Sequence, residues 1–322
     1  MLSCSKGVGG PDGPKDDFDQ KIPLEFTAFV DWEVKSLVND ADDLQKYSIS
    51  LLANATLDDK TYAVFDNEML NYTEDEWTYE TARYWIPGAR YSFAAFAPFA
   101  QEGSPGSEPG KLSSGTVSLS NSEGNPVLTI TGYKTKTEDL LVAHYVRDNS
   151  MIEDYSAVPL TFGHILSGVT FSIRNTTNDD ITKVSDIKLS GLSDECNITL
   201  TTAEVTVDSS NKIATIASED RLPQEGSTCF LPKGMSEADF RPLFDCEILA
   251  LLPQQLYGKE ISLTFKIHKG NTTTDYSLNL GNIEKIRDWK PGNKYNYSIS
   301  ITSKDILFQV VEVPWIEHEV EL

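Results

Sequence analysis

The residue types that carry acid–base, nucleophilic and metal chemistry are all present in this 322-residue chain, but not at spacings that make a site. The four histidines, His144, His164, His268 and His318, are dispersed, and none sits where imidazoles share a metal or where a base meets a nucleophile. His164 follows Phe162-Gly163 and reads as a hydrogen-bonded structural residue. No Gly-x-Ser-x-Gly elbow, phosphate-cradling glycine loop or His-Glu-x-x-His helix occurs. Asp40, Asp42 and Asp43 lie close together, but the stretch lacks the glycine and the distant glutamate of a calcium loop, so it reads as a solvated acidic segment. Carboxylates are too numerous for sequence to single out a catalytic pair, which is defined by separation in space. The reading is therefore no enzyme, no metal and no other cofactor.

Cysteine offers a different chemistry. Leu2-Ser3-Cys4-Ser5-Lys6 resembles the end of a bacterial lipoprotein signal, in which the cysteine is acylated. Behind it, residues 7–18 are rich in Gly, Pro, Asp and Lys, the composition of a flexible tether. Residues 1–20 thus read as a lipoprotein tether with Cys4 as the lipidation site, the alternative being an ordinary thiol at a chain terminus. Cys196, Cys229 and Cys246 allow at most one disulfide among them and match no zinc spacing; each could equally be a small buried apolar group.

Charge narrows the partners. Lys plus Arg is 27 against 49 Asp plus Glu, a net −22, and acid exceeds base in both halves. Neither half offers the basic stripe that nucleic acid or an anionic bilayer requires. No apolar run approaches the ~18 residues of a membrane-spanning helix.

The elements that must position any site are strands. One device appears twice: Trp85-Ile86-Pro87-Gly88-Ala89-Arg90-Tyr91-Ser92-Phe93 and Trp289-Lys290-Pro291-Gly292-Asn293-Lys294-Tyr295-Asn296-Tyr297 both read Trp-x-Pro-Gly-x-basic-Tyr-x-aromatic. Proline presets φ at the second turn position and glycine accepts positive φ at the third, and the aromatic alternation that follows has the period of a half-buried strand. The copies are too far apart for a solenoid repeat, so they predict one copy in each of two related domains, with Tyr91 and Tyr295 on equivalent strands. Elsewhere Ile22, Leu24, Phe26, Ala28 and Val30 alternate with Pro23, Glu25, Thr27 and Phe29, predicting a strand with one buried face and an edge position set by Pro23. Residues 33–46 read as an exposed polar loop. Leu140 to Val146 is apolar on both faces except His144 and predicts a strand covered on both sides. Short strand signals then recur through Val169–Ile173, Ile198–Leu200 and Ile261–Ile267, at the spacing of an all-β sandwich. Arg147 to Ser156 is polar and charged and is the best place for a domain boundary, giving domains at 21–156 and 157–322.

Taken in order, Tyr84-Trp85-Ile86-Pro87-Gly88 with Tyr91 to Pro98, Val158-Pro159-Leu160-Thr161-Phe162-Gly163-His164, Leu251-Leu252-Pro253-Gln254, and Trp289-Lys290-Pro291-Gly292 with Tyr295 to Ile299 resemble the fimbrillin-like family of surface lipoproteins. Members of that family build or decorate type V pili of Gram-negative anaerobes. The resemblance implies two transthyretin-like β-sandwich domains, a lipidated precursor at the outer membrane or in the fimbrium, and assembly with other pilin subunits or further copies by strand exchange after a protease removes the first strand. That strand would be the one holding Ile22, Leu24, Phe26, Ala28 and Val30. One departure stands out: members matured by an arginine-specific protease carry an arginine in the loop after this strand, and here no arginine precedes Arg83. Lys35 is the nearest basic residue to that place and Lys46 the second choice; absence of cleavage would suit an anchoring or accessory subunit. The competing class is a monomeric lipoprotein that binds surface glycan, or a host or bacterial surface protein, since exposed Trp and Tyr stack on sugar rings.

Overall fold

A computed structural model describes residues 21–30, 41–103, 111–134, 139–151, 153–209, 213–217, 230–244, 248–304 and 306–314. The chain runs β1 (Phe26–Val30), α1 (Ala41–Leu44), β2 (Ile49–Leu57), β3 (Lys60–Thr73), β4 (Glu76–Thr78), β5 (Arg90–Ala97), β6 (Thr116–Ser122), β7 (Asn125–Lys134), β8 (Leu141–Asp148) and β9 (Val158–His164). It continues through β10 (Ser167–Asn175), β11 (Lys183–Ser193), β12 (Glu195–Thr201), β13 (Val205–Ser209), β14 (Ile213–Ala217), β15 (Arg241–Pro242) and β16 (Leu249–Leu251). Last come β17 (Gln254–Gln255), β18 (Ser262–Lys269), β19 (Thr272–Asn279), β20 (Asp288–Trp289), β21 (Asn293–Ile301) and β22 (Ile306–Pro314). The expected all-β class holds.

The first layer closes on itself in the order β1-β4-β3-β2-β5-β8-β9. Its inner core gathers Phe26, Phe65, Trp85, Tyr91, Phe93 and Leu141. Strands β2, β5 and β8 are buried on their outer face too. There Leu52, Ala94, Phe96 and Val142 pack on Leu128, Ile130, Ile198 and Leu200 of a second sheet, ordered β13-β12-β7-β6. Small residues at Ala94 and Ala95 let the central strand be covered on both sides; of the run from Leu140 to Val146 only Leu140 to Ala143 are covered as predicted, Tyr145 being half-buried and Val146 exposed. The last unit faces sheet β15-β10-β21-β22, joined by β16, against sheet β14-β11-β18-β19, with Phe171, Phe265, Trp289 and Tyr297 between them.

Both copies of the Trp-Pro-Gly device fold alike. The Ala89 N–H donates to Ile86 O at 3.2 Å and the Asn293 N–H to Lys290 O at 3.3 Å, closing each turn around a glycine at φ +75° (Gly88) or +64° (Gly292). In each copy the tyrosine hydroxyl turns back to accept the N–H of the residue before proline: Ile86 N to Tyr91 Oη is 2.6 Å, and Lys290 N to Tyr295 Oη is 2.8 Å. Each turn therefore launches a central strand, β5 or β21, that pairs antiparallel with a later strand, β8 or β22. The other neighbours differ, because β5 lies antiparallel to β2 whereas β21 lies parallel to β10.

Two expectations need correction. The cut at 156/157 is crossed twice: β9 lies after it but pairs with β1 and β8, and β12 of the second half pairs with β7 of the first. The stretch at that cut is mostly exposed, but Arg147 and Asn149 are buried within it and bonded to carbonyls of the same loop. The supposed loop at 33–46 holds α1, whose Leu44 is fully buried against the first core; residues 31–40 lie outside the described set.

Candidate functional site

The alternation in residues 22–30 places a strand in a slot on the first layer. Leu24, Phe26, Ala28 and Val30 point inward and are buried, whereas Ile22 is 37 % exposed and leaves the stripe one residue shorter than its period suggests. The Phe26 ring meets Phe65, Tyr79 and Phe93 edge-on at 5.7, 5.9 and 6.0 Å. One wall is residues 83–85: the Leu24 N–H donates to Arg83 O at 2.9 Å and the Trp85 N–H to Ile22 O at 3.0 Å. The other wall is β9, which runs parallel to β1 from Phe26↔Val158 to Val30↔Phe162, with the Val158 N–H donating to Glu25 O at 2.7 Å. Tyr79 seals the end by donating its hydroxyl to Leu24 O at 2.8 Å; burial pushes that phenol above its ordinary pKa.

Toward β4 the strand is barely held. Only Phe26↔Trp77 pairs there, and an open groove of about 420 Å³ runs along Thr27 and Phe29 beside Tyr72, Trp77 and Glu76. Burial of Leu24, Phe26 and Val30 contributes roughly 1.5–3 kcal/mol each, an upper figure because unfolded chains already bury some surface. Domains are stable by only about 5–15 kcal/mol in all. The side chains of this one strand therefore supply a sizeable share of what holds the first core together.

Among the described residues, the others singled out by sequence do not assemble into a site. Cys4 and Lys35 lie outside the described residues. Lys46 follows α1, is exposed and pairs with Asp43. His164 Nδ1 lies 2.8 Å from Asp139 Oδ2, both side chains buried, as befits a structural histidine. His144 Nε2 meets Thr201 O at 3.1 Å, and His268 bonds Ser185 and Thr273. Cys196 is a buried free thiol whose pKa is pushed up to about 12 by burial, with Glu195 and Asp208 adding to the shift. Among the described residues no group of three metal-ligating side chains is placed to hold an ion. Trp77, Trp85 and Trp289 are all buried, so none of the described tryptophans presents a face to a sugar ring. Sequence reasoning missed Arg147, because a charged residue at the end of an apolar strand looks no different from a solvated one.

Known proteins resemble the chain as follows. A family model described as fimbrillin-like matches residues 38–315. A fimbrial protein from Bacteroides vulgatus superposes with a TM-score of 0.63 at 17 % identity, over 91 % of this chain and 99 % of that one. Candidate cell adhesion proteins from Bacteroides ovatus and Bacteroides uniformis superpose at 0.55 and 0.52, with 14 % and 15 % identity. The first comparison covers 93 % of this chain and the second 94 %, and each covers 100 % of the other protein. These likenesses concern the fold. No curated protein matches in sequence.

Proposed function

The chain belongs to the fimbrillin-like family, and from that membership we propose that it is a structural or accessory subunit of a type V pilus that assembles by β-strand exchange at the cell surface. The observation that carries this reading is the β1 slot. Its walls and floor, residues 83–85, β9, Phe65, Tyr79 and Phe93, all fall inside the matched region 38–315, whereas β1 itself lies before it. A strand held by β9 along its length and by residues 83–85 at its start, but open toward β4, and followed by a segment containing Lys35, is the element a protease could release and a neighbour replace. The partners are other pilin subunits or further copies of the same chain, and the fold reads as two transthyretin-like sandwiches bridged by the middle sheet. Cys4 is the lipid site that would hold the precursor at the outer membrane. The donor would be either the Ile306 to Val313 region or the tail 316–322; the first is already paired with β21 along its length, which favours the second. Main-chain pairing would supply affinity and alternate side chains the register.

Cleavage after Lys35 in the purified protein, followed by light scattering and intact mass, tests the reading. The expected result is polymer whose subunits have lost residues 22–30. A stable monomer that keeps them rules strand exchange out for this chain.

A further inference from the structure

Arg147 ends β8 and yet has a side chain only 5 % exposed. Its guanidinium donates to Ser156 O at 2.5 Å and to Ala157 O at 3.3 Å, the carbonyls immediately before β9, and to Tyr145 Oη at 3.1 Å. Asp154 Oδ2 lies 3.6 Å from Nε. The same guanidinium stands over the Trp85 ring at 5.1 Å and the Tyr145 ring at 5.3 Å. Trp85 and Val158 are the residues whose N–H groups grip the first strand from its two sides, at Ile22 O and Glu25 O. The two grips are thus joined through Arg147, behind the strand they hold. Strand β9 needs such a tie. Away from β1 it pairs only with β8, at Leu141↔His164 and Val142↔Gly163, the end farthest from Val158. If β1 left, residues 158–162 would have no ladder partner.

We propose that Arg147 is a positioning residue for strand exchange: it keeps the two walls of the slot in register while the slot is empty, so that an incoming strand meets a formed site. The inference rests on the strand-exchange reading above. Arginine suits the place because its planar fork spans separate carbonyls in a fixed geometry while its face stacks on indole; the ammonium of lysine is a point charge with no such fork and no planar face.

The full chain, cleaved between residues 31 and 40, is mixed with a fluorescent peptide of residues 21–31, and anisotropy follows uptake into the slot. Wild type is expected to take the peptide up, and Arg147→Lys to bind it at least tenfold more weakly. Ile299→Val, a mild core change in the last unit, serves as a control that lowers the unfolding midpoint without changing uptake. A merely structural Arg147 would behave like that control. Equal affinity of wild type and R147K overturns the role of Arg147 and leaves strand exchange standing, whereas no uptake by wild type overturns both. Should R147K fail to fold, Tyr145→Phe, which removes only the hydroxyl that receives Nη2, is expected to weaken uptake about threefold; unchanged affinity in that variant also refutes the proposal.

Discussion

Replacing Phe26 by alanine tests whether β1 behaves as a separable strand. The ring is buried and touches Phe65, Tyr79 and Phe93, so its removal leaves a void among three aromatic side chains that cannot close without moving the first core. Phe-to-Ala changes at such positions cost about 3–5 kcal/mol. At about 1.4 kcal/mol per factor of ten, the strand-out state should become roughly a hundred- to a few-thousand-fold more populated. The assay is native-state hydrogen exchange with the chain intact. The Val158 amide, bonded to Glu25 O, should exchange faster by that factor, while amides of β21 in the last unit keep their protection. Ile22→Ala, at a position 37 % exposed, should change either by less than about tenfold. If Phe26→Ala accelerates β9 and β21 equally, β1 leaves only when the whole molecule unfolds, and the separable-strand argument fails.

Tyr297→Phe should destabilise the last unit by about 1–3 kcal/mol, because Trp289 Nε1 donates to Tyr297 Oη at 3.0 Å in the core and would be left without an acceptor; a urea midpoint unchanged by the substitution would contradict this. Alkaline pH should also weaken the fold. Burial raises the pKa of Tyr295 to about 12, against the opposing Lys290 N–H bond and with help from Glu312, and burial likewise raises Tyr79, Tyr91 and Tyr297. Unfolded phenols ionise near 10, so below that pH the contribution is fully present, and it is lost as pH rises from about 10 toward 12. Melting temperature followed from pH 8 to pH 11.5 checks this, and a flat profile across that window would be the wrong outcome.

How much of this was legible beforehand follows from the range of the forces involved. Period-2 alternation is a property of neighbouring residues, so it marked Leu24, Phe26, Ala28 and Val30 as one face before any partner was known. Turn chemistry is local too: Pro-Gly fixes its own dihedrals, and both Trp-Pro-Gly turns close as their residues require. The two-sided apolar run at Leu141 to Ala143 likewise announced a covered strand, though not by what it is covered.

Partner choice is where local pattern stops. An alternating strand carries the same signal whichever neighbour it joins, so nothing in Val158–His164 said that it completes the first layer with β1, and nothing in Glu195–Thr201 said that it extends β7 across the expected boundary. The same holds for polarity. Charge and amide groups usually need water, so nothing in the sequence marks Arg147 and Asn149 as buried, and only the folded chain supplies the backbone carbonyls that take its place. Residue types and spacings therefore determined the strands, their inward faces and the two turns. The slot, its uneven pairing and the arginine that joins its walls were decided by contacts between segments far apart in the chain, which form only when tertiary packing brings their unpaired backbone groups together.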